Sequence, residues 1–260
     1  TDTFQMYEKD DLMDFIFVDN SERRKRQKKL DIRVIVGNPP YSIGQGNQND
    51  NNRNVTYPSL DQRIEATYAA HSTMTSVKSL YDSYIRAIRW GSDRIGKSGI
   101  IGFVTNAGFL EATSSDGMRK CLVDEFSSLY VFHLRGNQRT QGDLSRREGG
   151  KIFGSGSRAP IAISLLVKNP EAKEYGKIYF YDIGDYLSRE EKLAIIENIG
   201  SVSSLTVRKL WQTITPDEHG DWLRQRDDSF STFLALGDKK GNETKLFANF
   251  SLGIASGRDD

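Results

Sequence analysis

Val34-Ile35-Val36-Gly37-Asn38-Pro39-Pro40-Tyr41 sets a run of β-branched apolar residues against a polar, double-proline, aromatic corner. The run from Ile32 to Val36 predicts a strand buried on both faces, and Gly37 lets the chain leave it where a Cβ would crowd a ligand. Neither proline has an N–H to donate, so the Pro39 carbonyl is purely an acceptor, stiffly held because both rings fix φ. The Asn38 side-chain oxygen is a second acceptor. Two acceptors beside the flat ring of Tyr41 match a planar conjugated group bearing an NH₂, such as the exocyclic amine of adenine. The ring stacks while the amine donates twice. A proline turn that merely closes a strand is the plainer reading of the same residues.

Downstream of the corner, residues 42–54 are rich in Gly, Asn and Gln with hardly any apolar side chain. They predict a mobile loop, either closing over a ligand or simply disordered. From Asp61 to about Arg94 apolar residues recur at helical spacing, and Tyr81, Tyr84, Ile85, Ile88 and Trp90 crowd the second part as packing residues. Gly91-Ser92-Asp93-Arg94-Ile95-Gly96-Lys97-Ser98 satisfies the letters of a P-loop. A P-loop, however, leaves a strand and opens a helix so that its N–H groups face phosphate, whereas this segment leaves a helix and enters the predicted strand Ile100–Thr105. We read it as a helix-ending turn. A helix around Ser114–Phe126 leads to a strand at Leu129–Leu134, and an arginine-rich loop from Arg135 to Glu148 precedes the glycine loop Gly149–Arg158. A strand follows at Ile161–Val167 and another at Lys177–Ile183. Ser188–Ile199 reads as a helix with Ser188 at its N-cap and Glu191 three residues on, a capping box. Residues 211–228 are polar and acidic and predict irregular structure. The alternation of strands and helices is that of a doubly wound α/β fold, with sites at the carboxyl ends of strands, where Asn38 and Asn106 both fall. Upstream, five of the six residues Arg23–Lys28 are basic and Lys29 follows. This run is either a solvated helix face or a phosphate-contacting patch.

Composition excludes several classes. With 260 residues the chain is one large domain or one and a half, and its net charge of +1 provides no global field for nucleic acid, so any such surface is local. The single cysteine, Cys121, rules out an internal disulfide framework and sits on an amphipathic helical pattern as a small core residue. His71, His133 and His219 are scattered without a second ligand at metal spacing, so no metal site is expected. No signal peptide and no apolar run of membrane-spanning length is present, which predicts a soluble, cytoplasmic protein. Arg135, Arg139, Arg146, Arg147 and Arg158 are the candidate phosphate contacts, each individually weak.

Asn38-Pro39-Pro40-Tyr41 resembles motif IV of the amino-methyltransferases that use S-adenosylmethionine, and a chance match of all four positions is roughly one in several hundred on average composition. Thr1-Asp2-Thr3-Phe4 resembles motif III of that family, Gly99–Asn106 resembles motif VI, and the glycine loop resembles motif VIII. The tail Phe250–Asp260, the asparagine-rich loop, Tyr81-Asp82-Ser83-Tyr84, Arg89-Trp90 and Leu134-Arg135-Gly136-Asn137 make nearly the whole chain look like the methyltransferase region of the single-chain type ISP restriction-modification enzymes of bacteria. The resemblance implies a Rossmann-like class I methyltransferase sheet, Asn38, Pro39, Pro40 and Tyr41 as catalytic residues, and Tyr41 and Phe153 stacking on a flipped target base. It also implies Asp2 as a contact to the methyl donor, double-stranded DNA as partner, and nuclease, helicase and target-recognition domains elsewhere in the parent chain. The corresponding organisation is residues 1–186 as the methyltransferase region, 187–249 as a mixed connecting region and 250–260 as the start of target recognition.

One departure matters. The glycine-rich cofactor motif of such an enzyme precedes motif III, and no such motif stands before Asp2. The chain is therefore expected to carry the target-base half of a split sheet with a C-terminal extension, with S-adenosylmethionine bound by the full-length parent. The strand Ile32–Val36 is expected to keep an unpaired edge. Two other readings fit the same residues: an amino-methyltransferase acting on protein glutamine or on RNA, and a non-catalytic module of a DNA helicase or translocase. Asp2 alone does not hold a donor, because one charge-assisted hydrogen bond contributes about 1.5–3 kcal/mol and a millimolar dissociation constant already needs about 4 kcal/mol. Calorimetry on this chain is expected to show no binding of S-adenosylmethionine at sub-millimolar concentration. Tight binding would contradict the split-sheet expectation.

Overall fold

The structure, a computed structural model, describes residues 3–4, 18–40, 57–153, 158–223 and scattered positions between 226 and 247. Six strands form one mixed sheet: β1 (Val34–Gly37), β2 (Gly99–Asn106), β3 (Ser128–Arg135), β4 (Ile161–Lys168), β5 (Lys177–Asp182) and β6 (Gln212–Ile214), in the order β1-β2-β4-β3-β5-β6. β1, β2, β3 and β5 run parallel to one another, whereas β4 is antiparallel to both its neighbours, β2 and β3. The α/β expectation holds. The helices are α1 (Val18–Lys29), α2 (Pro58–Ile64), α3 (Ser83–Arg94), α4 (Gly108–Glu111), α5 (Asp116–Glu125), α6 (Gly142–Glu148), α7 (Arg189–Ile199) and α8 (Val202–Val207). Among the described residues no helix is long and apolar enough to cross a membrane.

Each face of the sheet has its own core. Ile101, Phe103, Leu129, Val131, Leu166, Ile178 and Phe180 alternate onto one face and bury against the apolar sides of α2, α3 and α5. Phe132, Leu134 and Ile161 point to the other face, where Ile199 and Leu205 of α7 and α8 cover them. The expectation that Ile32–Val36 is buried on both faces is corrected. The strand begins at Val34, and Val34 and Val36 are 61% and 80% exposed. The reason is positional: among the described residues β1 is the last strand of the sheet, and the core under α7 and α8 includes no residue of β1. Only Ile35 and Gly37, on the opposite face, meet the core, with Phe103 in contact reach of a Cβ at Gly37.

Buried polar groups set the positions of the helices. Arg89 on α3 is buried and donates to Glu125 on α5 at 2.6 and 2.8 Å and to Asp93 at 2.6 Å, with its guanidinium 5.3 Å from the Tyr68 ring. On α5, Gly117 crosses the preceding chain so closely that a Cβ would lie 2.0 Å from the Tyr68 carbonyl oxygen. Asp116 beside it accepts from the Ser72 hydroxyl at 2.5 Å and from the Thr73 N–H and hydroxyl at 2.8 and 2.7 Å. Arg119 is fully buried, donates to the carbonyls of Phe109, Ala112 and Gly220, and pairs with Asp221. It thereby anchors the segment in which Trp222 packs edge-on to Phe109. Cys121 is buried, and its burial raises the thiol to about 11, in keeping with a core residue. Residues 211–228, expected to be irregular, contain the short strand β6, which pairs with β5. Contacts divide the chain into Thr1–Arg224, which includes α7, α8 and β6, and Gln225–Asp260. In the second unit the Phe247 N–H donates to the Leu236 carbonyl at 2.9 Å.

Burial by itself raises the Asp116 carboxyl, but the hydrogen bonds from Ser72, Thr73 and the Gly117 N–H outweigh it and hold the group at about 2. A carboxylate lowered in the folded state stabilises the fold above about pH 4, and that contribution is lost as pH falls through about 2. Asp116→Asn is expected to cost about 2 kcal/mol at pH 7 and to flatten the acid limb of the stability curve in urea titrations between pH 5 and pH 2. Parallel acid limbs in the two proteins would show that Asp116 carries no such charge.

Candidate active site

Asn38, Pro39 and Pro40 follow the last residue of β1, so the corner stands at the carboxyl edge of the parallel strands. Asn38 and Pro40 are exposed and Pro39 is half-buried. Tyr41 and Asp2 lie outside the described residues, as does the loop 42–54. The neighbouring strand β2 ends at Asn106, whose side-chain oxygen accepts the Gly108 N–H at 2.8 Å and turns the chain into α4. Ala107 N–H then donates to the Pro160 carbonyl at 2.8 Å. That bond joins the end of β2 to the start of β4.

The glycine loop reaches the same edge because β4 is antiparallel. Ile161, the first residue of β4, pairs with Asn106 of β2 and with Arg135 of β3. Residues 136–153 and 158–160 therefore lie between two strand ends at the carboxyl edge, and residues 154–157 of the glycine loop lie outside the described residues. This stretch carries α6, which has no buried residue and bears the exposed Arg146 and Arg147, and then Gly149, Gly150 and Phe153. Phe153 is half-buried and packs against the second core. A Cβ at Gly149, where φ is +66°, would lie 2.1 Å from the Leu187 carbonyl oxygen, and one at Gly150 would lie 2.4 Å from the Arg189 nitrogen. Both glycines are thus required by close backbone approach.

The five arginines divide by environment. Arg135 has a left-handed backbone at φ 57°, at the irregularity between β3 and β4, and donates to Asp182 at 2.6 Å with Asp185 at 2.5 Å. Its guanidinium is committed to two carboxylates, which makes it a tie between β3 and the end of β5. The cost of burial raises the Asp182 carboxyl, yet the hydrogen bonds from Arg135 and the Gly184 N–H hold it well below the usual carboxylate range. His133 Nδ1 lies 3.6 Å from Asp182, beyond a direct hydrogen bond. Arg147 pairs with Asp143 at 3.0 Å within α6, and Arg158 donates to the Gln138 carbonyl at 2.8 Å. Arg139 and Arg146 are exposed. The P-loop lookalike closes α3: the Ile95 N–H donates to the Gly91 carbonyl and Gly96 N–H to Asp93, after which the chain enters β2. Helix carbonyls rather than amides end there, and the segment is no phosphate cradle.

Sequence reasoning passed over Asp182, Asp185 and Lys192. Lys192 is fully buried on α7 and donates to the carbonyls of Glu148 at 2.7 Å and Gly150 at 2.8 Å. A lysine on the buried side of a predicted helix was the available signal, and α7 has Lys192 and Ile199 as its buried residues.

Comparison with known proteins places these features in context. The Eco57I restriction-modification methylase family model matches residues 3–139. A nuclease-deletion mutant of the Type ISP restriction-modification enzyme LlaGI, solved with a DNA substrate mimic, is 48% identical over 93% of this chain and 19% of that one, with a TM-score of 0.81. The ATP-dependent Type ISP restriction-modification enzyme LlaBIII bound to DNA is 42% identical over 94% of this chain and 16% of that one, with a TM-score of 0.84. A DrdV–DNA complex is 37% identical over 83% and 20%, with a TM-score of 0.72. This chain spans a fifth or less of the length of each of these proteins. No match is found among curated proteins.

Proposed function

Because the chain belongs to the Eco57I restriction-modification methylase family, we propose that it is the methylating region of a Type ISP-like restriction-modification enzyme, acting on the N6 amine of a flipped adenine in double-stranded DNA. The observation that carries this reading is the Asn38-Pro39 corner, with Asn38 exposed and Pro39 half-buried, at the carboxyl edge of the sheet, beside the end of β2 and at the same edge as the residues that begin the glycine loop. The relatives solved on DNA favour DNA over protein glutamine or RNA. The turn that closes α3 gives no support to an ATP-driven module.

The chemistry asked of these residues is positioning. The adenine amine is conjugated into its ring and is a poor nucleophile. When Asn38 Oδ1 and the Pro39 carbonyl each accept one of its hydrogens, the nitrogen is biased toward a pyramidal shape with its lone pair free for attack. No strong base and no covalent intermediate is required. An amine inside a duplex is out of reach, so the nucleotide is extruded, and Tyr41 and Phe153 replace the stacking it loses. Arg139, Arg146, Arg147 and Arg158 lie along the same loop and suit phosphate contacts, whereas Arg135 serves the fold.

S-adenosylmethionine would supply the methyl group. The described residues do not fit it: among them no glycine-rich turn leads from a strand into a long helix, and Gly149 and Gly150 are filled by the backbone of Leu187 and Arg189. The residues on hand hold the acceptor amine, and donor binding belongs to the polypeptide that carries this region.

In that polypeptide Asn38→Ala is expected to lower kcat by about 100-fold or more while changing DNA affinity little, because the lost acceptor acts chiefly in the transition state. Equal losses in kcat and affinity, measured by single-turnover methylation and DNA titration, would count against the assignment. Tyr41→Ala should weaken capture of the flipped base by about 1–3 kcal/mol and Tyr41→Phe much less. A base-analogue fluorescence assay that fails to separate the two would remove Tyr41 from the site.

A further inference from the structure

The loop that carries Phe153 is irregular, yet the carbonyls of Arg147, Glu148, Gly150 and Ile152 all accept bonds from one neighbouring segment, residues 186–192, with the Gly136 N–H a second donor to Glu148 at 3.1 Å. The Tyr186 N–H donates to the Arg147 carbonyl at 3.0 Å and the Lys192 ammonium to those of Glu148 and Gly150. The Arg189 Nε donates to Ile152 at 2.9 Å, and the Gly150 N–H returns a bond to Leu187 at 2.9 Å. From the loop's other flank Gln138 donates to Gly149 at 3.0 Å, while the Glu148 side chain accepts the Asn137 N–H at 2.8 Å. Lys192 stands at the centre of this set and is fully buried on the first turn of α7, a helix end that disfavours a cation. Burial pulls its ammonium down to about 8. A group kept there against desolvation and the helix dipole is held by what it binds, and the partners are two loop carbonyls at the C-terminal end of α6. Removing it would take the lysine donor from the Gly150 carbonyl and leave that of Glu148 with the Gly136 N–H alone.

We propose that Lys192, with Arg189 beside it, is a positioning residue for the target base: it fixes the glycine loop in the one geometry in which Phe153 meets the flipped nucleotide. The inference rests on the stacking role given to Phe153 above. It assigns residues 186–192, which come after the last parallel strand, to the wall of the site. Lys192 touches no reacting atom. It acts only through the backbone on either side of Gly149, where neither glycine tolerates a Cβ and the loop has a single fit against Leu187 and Arg189.

The test uses Lys192→Met, which keeps the length of the side chain and removes its donors, and Arg189→Ala, a half-exposed site whose loss releases the Ile152 carbonyl and a long surface pair with Glu190. Two readouts are taken: hydrogen exchange of the amides of residues 149–153, and fluorescence of DNA bearing 2-aminopurine at the methylated position, bound by the full-length polypeptide. Lys192→Met is expected to speed exchange in the loop by about tenfold or more with the sheet amides unchanged, and to remove the fluorescence change as fully as Phe153→Ala does. The double variant should be no worse than either single one. Arg189→Ala should give the same pattern in smaller degree, and it stands in if Lys192→Met does not fold. Unchanged loop exchange overturns the proposal, and so does faster exchange with an intact fluorescence signal where Phe153→Ala abolishes that signal. If Phe153→Ala itself leaves the fluorescence untouched, the stacking role fails and takes the positioning role with it, a result told apart from the others by that single variant.

Discussion

The hydrogen bonds of β4 to both β2 and β3 are the constraint on which the rest of the molecule depends. A parallel β2 and β3 joined by α4 and α5 could pair directly, and the chain instead leaves a strand's width between them, filled later by a segment running the other way. An antiparallel insertion begins where its neighbours end. The residues just before β4, the glycine loop among them, therefore stand at the carboxyl edge together with the ends of β1 and β2. Had β4 run parallel, the same loop would emerge at the opposite edge, far from Asn38.

The helices are placed by buried charge as much as by apolar area. Arg89 with Glu125, Arg119 with Asp221, and Asp116 with Ser72 and Thr73 each join elements distant in sequence. Such groups are weak evidence for stability, since desolvation offsets much of the attraction, but losing one partner strands the other and is strongly destabilising. Their value is geometric. Directional bonds leave one arrangement of α3, α5 and the 217–222 segment, where a purely apolar contact would tolerate sliding. The Arg135, Asp182 and Asp185 cluster does the same at the end of β3 and β5, and Lys192 does it for the loop above.

How much of this could be read in the sequence depended on how local the signal was. Strands β2 to β5 and helices α3, α5 and α7 were legible from periodicity, whereas α6, α8 and β6 were not; the Ser188 and Glu191 capping box was legible from spacing alone, and both of its bonds are present. The P-loop lookalike was decided by the order of helix and strand. Burial of β1 was misjudged because β-branched residues favour a strand whether or not a layer covers it, and nothing in Ile32–Val36 says which strand is last in a sheet. The order of β4 and β3 was hidden for the same reason: pairing is a long-range property. Arg135 read as a surface arginine, since its carboxylate partners lie 47 and 50 residues away in Asp182 and Asp185 and carry no mark of it. The corner Asn38-Pro39-Pro40 was legible because its chemistry is in the residues themselves: two acceptor oxygens, two prolines with no N–H to donate, and a backbone fixed by their rings.

On the function proposed, this corner holds an exocyclic amine of a DNA base, and the base is adenine. The most direct measurement is mass spectrometry of nucleosides from duplex DNA incubated with the full-length polypeptide and methyl-labelled S-adenosylmethionine. Label is expected in N6-methyladenine alone. Label at cytosine, or in protein glutamine with unlabelled DNA, would contradict it.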